Sequence, residues 1–384
     1  MKIVVAPDSF KGSLTAPEAC RAITAGLRRT GLNVEIVNIP MADGGEGTVN
    51  ALVSSTNGTI VHTDVTGPLG EEVEAYFGIL GDAGVSPTQT AVIEMAAAAG
   101  LPMIPPKKRN PLHTTTYGVG QLICAALDRD CKNFIIGIGG SATNDCGTGM
   151  GQALGVKFFD RRGELIRRPL TGERMGMVYS VNTEGLPRQI SQCQFAVACD
   201  VNNPLLGPQG ATFVYGPQKG ADKQALLLLE TNMTHIIEII ENTLGRNYRD
   251  VPGAGAAGGL GAGLMAFTRA RLERGIDIVM RYSRFSQRIK DADLVITGEG
   301  RIDGSTVYGK TISGIAAAAQ EQSIPVIALA GSLGPGAEKV REIGIKYVYA
   351  LREGTVTAEQ AMKNGATLLA DRAETALKRF CQIQ

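Results

Sequence analysis

The sequence lacks the features that mark several large classes of protein. Its 384 residues carry 38 Lys and Arg against 37 Asp and Glu. No overall field therefore draws it to nucleic acid or an anionic membrane, and any attraction for phosphate has to be built at one site. No stretch reaches the ~18 uninterrupted apolar residues of a membrane-spanning helix. The opening apolar run ends at Ala6, before Pro7 and Asp8, too soon for a signal peptide. The seven cysteines are an odd number with no CxxC pair, which argues against structural zinc and for a reducing compartment. The cytoplasm is the expected location. His62, His113 and His235 form no HxH or HExxH and have no Cys or acidic neighbour at metal spacing. No GxSxG elbow marks a hydrolase, although Ser9 or Ser141 on another kind of turn would remain a candidate nucleophile.

Glycine, by contrast, is abundant: 49 positions without a collagen-like period or a low-complexity tract, so the glycines are local devices. The length exceeds what one core usually organises, roughly 250–300 residues, and predicts two domains. Lys2–Ala6 reads as a strand. Thr15-Ala-Pro-Glu18 then supplies a helix cap, an early proline and a capping-box glutamate, and Ala19, Ala22, Ile23 and Leu27 recur on one helical face. With a strand at Val34–Ile39 this makes a βαβ unit. The alternation returns at Leu294–Thr297, Ile312–Ala319, Pro325–Ala330, Tyr347–Leu351 and a final helix over Thr357–Phe380. The fold class expected is α/β, a Rossmann-like parallel-sheet domain (1–66 plus 288–384) interrupted by an inserted α/β domain (67–287) with strands at Phe134–Ile138 and Gln194–Cys199. The polar stretch Asp160–Gln192 reads as a surface excursion.

Ligands of open parallel sheets bind beyond the carboxyl ends of the strands. Six polar, Gly-rich segments follow expected strands here: Pro7–Gly12, Asp43–Gly47, Gly139–Asp145, Asp200–Asn203, Gly298–Asp303 and Gly331-Ser332. Turn chemistry explains any one of them. Together, acidic and Gly-rich loops suit a metal-nucleotide site, because Mg²⁺ takes one or two carboxylates plus phosphate oxygens while backbone N–H groups cradle the phosphates. Two motif matches need context. Gly304–Thr311 satisfies GxxxxGK[ST], but Gly298–Asp303 separates it from the expected strand end at Thr297. The weaker expectation is that Lys310 approaches a phosphate at a helix N-terminus. Gly137–Ala142 fits GxGxxA, with Asp160 downstream, but Thr143–Gly151 is a poor helix opening. A further match at Gly253–Gly258 lacks a convincing preceding strand, and the adjoining Gly258 and Gly259 serve either close packing or a phosphate loop.

With these residues laid out, the chain resembles the bacterial glycerate kinase family. The resemblance rests on APDSFKGSLTA (6–16), PMADGGEGT (40–48), IEMAAAAGL (93–101), IGIGGSATND (136–145), ACDVNNPL (198–205), GPQKGA (216–221), VPGAGAAGGLGAGL (251–264) and VITGEGRID (295–303). It implies ATP- and Mg²⁺-dependent phosphorylation of D-glycerate, with 2-phosphoglycerate the usual product of this branch. The partners it implies are glycerate and ATP, with neither nucleic acid nor membrane, and it leaves a homodimer open. Cys146, Ser305 and Ile312 depart from the family pattern, and Gly304 is not part of it, which makes the P-loop match coincidental.

Phosphoryl transfer is mostly alignment and charge neutralisation. That assigns Lys11 and Arg301 as cations for phosphate or carboxylate, Asp43 and Glu299 as Mg²⁺ contacts, and Asp200 as acceptor of the hydroxyl proton. Asp8 and Asp303 are able to exchange roles with these. Ser9, Gly139, Gly140, Ser141, Asn144, Asp145, Gly258, Gly259, Asp303 and Lys310 are candidates for binding substrate and phosphate. Asp43 and Glu299 are expected to face Asn144 and Asp200 across a cleft between the domains. The alternatives are an NAD-dependent hydroxy-acid oxidoreductase using Gly137–Ala142, and a non-enzymatic sugar-acid sensor.

Overall fold

A computed structural model describes residues 1–81, 85–352, 354 and 356–383. The chain opens with β1 (Lys2–Pro7), α1 (Ala16–Arg29), β2 (Glu35–Asn38) and α2 (Thr48–Thr56), then forms a hairpin of β3 (Thr59–Thr66) and β4 (Glu72–Ile79). Next come β5 (Thr90–Glu94), α3 (Ala96–Ala99), α4 (Tyr117–Leu127), β6 (Asn133–Gly137), α5 (Thr148–Ala153) and the short pair β7 (Lys157–Phe159) and β8 (Ser180–Asn182). After β9 (Gln194–Ala198) the order is α6 (Ala211–Tyr215), α7 (Lys223–Leu244), α8 (Ala256–Thr268), β10 (Arg271–Glu273), α9 (Gly275–Tyr282) and α10 (Phe285–Arg288). The last segment holds β11 (Leu294–Ile302), α11 (Thr311–Glu321), β12 (Val326–Leu333), β13 (Ile345–Ala350), α12 (Ala358–Lys363) and α13 (Gly365–Ile383).

Two sheets result. The first is wholly parallel, in the order β13-β12-β11-β1-β2. The second runs β10-β9-β6-β5-β4-β3, with β5, β6, β9 and β10 parallel and the β3–β4 hairpin antiparallel at one edge. The division expected between residues 66 and 67 falls at the turn of that hairpin, so the chain enters the second sheet at Thr59. The strand order of the first sheet reverses between β1 and β11, which opens a crevice at their carboxyl ends.

Local chemistry explains the frame. Thr15 and Glu18 cap α1 reciprocally: the Thr15 N–H donates to the Glu18 carboxylate at 2.9 Å, and the Glu18 N–H to the Thr15 hydroxyl. Alternation along the first sheet sends Ile3, Val5, Leu294 and Ile296 to a core with α1 and α13, and Val4, Ala6 and Val295 to the opposite face. That opposite face packs on α2, α9 and α11 in the same cluster as Val92, Ile135 and Ala198 of the second sheet. The two sheets thus share one apolar layer. The stretch 160–192 is less superficial than its composition predicts, because Leu170, Met175, Val178 and Ile190 are buried in the second core. The final helix divides into α12 and α13, with Asn364 capping the first. Among the described residues no helix is long and apolar enough to cross a membrane.

Candidate active site

A cleft of about 820 Å³ opens where the strand ends of the two sheets meet. Lys11, Asp43, Gly139, Gly140, Ser141 and Asp200 all line it, so loops as far apart in sequence as those of Lys11 and Asp200 come together there. Glycine makes the meeting possible. The Asp43–Gly44 backbone lies directly on Gly275, the first residue of α9, and a Cβ on Gly275 would overlap the Asp43 carbonyl. Gly137 at the end of β6 packs against the Gly44 carbonyl in the same way. Gly275 also donates its N–H to the Asp200 carboxylate at 3.0 Å, where the N-terminal end of a helix favours negative charge. One residue therefore holds Asp43 through its missing side chain and Asp200 through its backbone.

The charges of this region act on one another. Burial first, and then the nearby Asp43 charge, push the Asp8 carboxyl up to about 6, although the Thr311 hydroxyl and the Ser9 N–H both donate to it at 2.5 Å. Burial likewise raises Asp200 above the usual carboxylate range, with Asp43 adding to the shift and the Gly275 N–H opposing it. On β11, Glu299 accepts from the Thr306 hydroxyl at 2.7 Å and is pushed by burial to about 7. A field of carboxylates thus runs from Asp200 through Asp43 and Asp8 to Glu299.

The remaining expected residues divide. Arg301 (Nε to Asp303 Oδ2, 3.4 Å), Asp303 and Lys310 (Nζ to Ser305 Oγ, 2.8 Å) gather beside Glu299 on the rim of the first sheet, away from the cleft lining. Ser9 contributes its N–H to Asp8 and does not line the cleft. Asn144 and Asp145 are fully buried behind the cleft wall, not facing Asp43 and Glu299. Asp145 is used up in structure: it accepts from the Thr116 N–H and hydroxyl and from the N–H groups of Gly147 and Gly149. Gly258 and Gly259, with φ of 70° and 86°, form a kink in α8 packed against residues 143–146, the geometry of close packing.

The two motif matches also resolve. The Gly137–Ala142 segment leads to no dinucleotide-type helix, since α5 begins only at Thr148 and has six residues. By contrast, β11 continues to Ile302, so Gly304–Thr311 does follow its strand almost directly and does open a helix. The separation expected from the sequence arose because Gly298 and Gly300 read as a turn, whereas both are paired within the parallel ladder or flanked by it.

Sequence reasoning passed over four residues. Lys219 lines the cleft and lay unremarked within GPQKGA; Glu94 lies within IEMAAAAGL and accepts from the Val49 N–H at the start of α2. Arg274 neighbours both Asp200 and Gly309. Gly275 carried no signal, because its role is a contact with a distant loop.

Comparisons with known proteins identify the family. The glycerate kinase family profile spans residues 3–381. The chain belongs to the glycerate kinase family. It is 50% identical over 366 residues to the glycerate kinase of Bacillus subtilis (strain 168), covering 95% of this chain and 94% of the relative. It is 47% identical over 363 residues to the glycerate 2-kinase of Escherichia coli (strain K12), covering 94% and 93%. A crystal structure described as glycerate kinase 2 from Salmonella typhimurium LT2 superposes with a TM-score of 0.88 at 45% identity, over 100% of this chain and 99% of that one. Membership makes the chain a phosphotransferase enzyme and sets aside the oxidoreductase and sensor alternatives.

Proposed function

We propose that the chain transfers the γ-phosphoryl group of ATP, presented with Mg²⁺, to D-glycerate, giving 2-phosphoglycerate. The observation that carries this is the cleft itself, in which Asp43 from the first sheet and Asp200 and Ser141 from the second surround one space open to Lys11. Asp200 accepts the proton of the attacking hydroxyl. Its raised proton affinity suits a base better than an ordinary carboxylate would. As the hydroxyl oxygen bonds to the γ-phosphorus, the bond to the β–γ bridging oxygen breaks and ADP leaves, with Lys11 beside the charged oxygens.

The donor set fits the metal. Asp43, with Glu299 along the same acidic field, offers hard oxygen ligands, and among the described residues no group of three or more His, Cys, Asp or Glu gathers to hold an ion unaided. Two carboxylates and the rest from phosphate is the usual arrangement for Mg²⁺. When bound, the ion neutralises charge on the phosphate oxygens. Asp8, in the same acidic field, completes the candidates. A smaller slot shares Lys11 with the cleft and is walled by Phe10, Leu351, Ala361 and Met362 with the backbone of Gly300 and Gly331. It is the place for the nucleoside, since the phosphates would then pass Lys11. The domains are proposed as lobes closing on this cleft.

The test is ADP release from ATP with and without D-glycerate, repeated with excess chelator, followed by phosphorus NMR of the product. Glycerate-dependent ADP release that stops on chelation, and a 2-phosphoglycerate signal, are expected. Undiminished turnover in chelator sinks the metal assignment, and a 3-phosphoglycerate signal sinks the regiochemistry.

A further inference from the structure

Lys219 is 2% exposed, yet it reaches the cleft. Its Nζ donates to the Ser141 hydroxyl at 2.8 Å and to the Thr143 carbonyl at 2.7 Å, two of the three bonds an ammonium offers. Among the described residues it has no ion-pair partner. Asp145 lies near enough to favour the charged form, but its oxygens are already taken by Thr116, Gly147 and Gly149. A buried ammonium lacking a counter-ion is costly, and burial pushes its proton affinity down to about 7. An anion entering the cleft is what offsets that cost.

We infer that Lys219 and Ser141 together bind the carboxylate of the acid substrate, so that this pair on the second sheet's wall fixes the end of glycerate opposite the reacting hydroxyl. The inference rests on the kinase reading and deepens it. A carboxylate fits better than a nucleotide phosphate for two reasons. Phosphates carried with a metal arrive partly neutralised, and the acidic side of the cleft at Asp43 and Asp200 is where they belong. A compact carboxylate is also the anion small enough to reach a group this buried, with the third ammonium N–H donating to one oxygen and the Ser141 hydroxyl, relieved of its lone-pair duty by Lys219, donating to the other. The apolar wall from Ala96, Ala97, Leu101 and Met103 keeps water from competing.

The wild-type assay with ATP and glycerate tests the kinase reading alone; the variant tests the inference. Lys219→Met is expected to raise the glycerate KM roughly 10²–10³-fold, as for loss of one partner of a buried charge pair. The ATP KM should move less than about threefold, since uniform binding of the other substrate is untouched. An unchanged glycerate KM, or equal rises for both substrates, overturns the assignment. Should the variant fail to fold, calorimetry on the wild-type enzyme decides. The titratable or charged groups around Lys219 are Asp145 behind it, Arg109 beside Gly220, and Lys11, Asp43, Glu46, Glu74, Tyr76, Glu94, Cys199, Asp200 and Tyr215 on the cleft walls. Glycerate binding measured in two buffers of different ionisation enthalpy should show uptake of about half to one proton, greatest above pH 7.5. No uptake there overturns the inference.

Discussion

Replacing Gly275 by Ala tests the whole account of how the cleft is assembled. Gly275 has an ordinary helical backbone and opens α9, where Ala is preferred to Gly by about 1 kcal/mol. The N–H that holds Asp200 is unchanged by the substitution. All that is added is a methyl group, which would overlap the Asp43 carbonyl and lie 2.8 Å from the Gly44 Cα. Carbon atoms keep about 3.5–4.0 Å, so the Gly44 contact alone makes the Asp43 loop retreat by roughly 0.7–1.2 Å, and the closer overlap with the Asp43 carbonyl makes it retreat further. Overpacking of this kind costs about 1–3 kcal/mol of stability. A displacement of about 1 Å at a reacting centre is worth up to about 10²-fold in rate. We therefore expect a folded variant with a urea midpoint modestly lower than wild type and turnover down roughly 10-fold to 10²-fold, read by coupled ADP release. A soluble variant with wild-type turnover would show that Asp43 is not held by this contact, or that its position does not matter to the reaction.

Lys11→Ala, at an exposed position shared by the cleft and the nucleoside slot, should lower turnover roughly 10²–10³-fold with an unchanged melting curve; near-normal turnover would make Lys11 a bystander. Asp8 and Glu299 hold protons more tightly folded than unfolded, at about 6 and about 7, so each weakens the ligand-free protein as pH rises from about 4 through those values. The Asp8→Asn, Glu299→Gln double variant should therefore be more stable than wild type at pH 7.5, by up to about 6 kcal/mol, and indistinguishable near pH 4. Equal urea midpoints at both pH values would count against the raised proton affinities. Gly26→Ala, remote from the cleft, places a methyl group against the Ala370 backbone of α13, and should cost about 1–3 kcal/mol while leaving turnover intact. A loss of turnover without loss of stability would contradict that separation.

The sequence by itself determined the local units. The capping box at Thr15–Glu18, the β-branched run of β1, and the Gly-rich turns after strands are written in neighbouring residues, and they were legible because helix caps, alternation and turns depend on nothing further away. The eight motifs led to the glycerate kinase family for the same reason. Misreadings came where distant chain decides. Gly298 and Gly300 read as a turn, but pairing with β12 extends β11 to Ile302. Asn144 and Asp145 read as site residues because polar groups near a strand end commonly are; only the folded chain shows that Thr116, Gly147 and Gly149 enclose Asp145. Lys219 carried no sequence signal of its own, and only burial and the bonds to Ser141 and Thr143 place it in the cleft. Tertiary structure alone decided which carboxylates share a field, because their proton affinities depend on burial and on charges brought together from both sheets, and Gly275, through what it lacks, sets how closely those sheets meet.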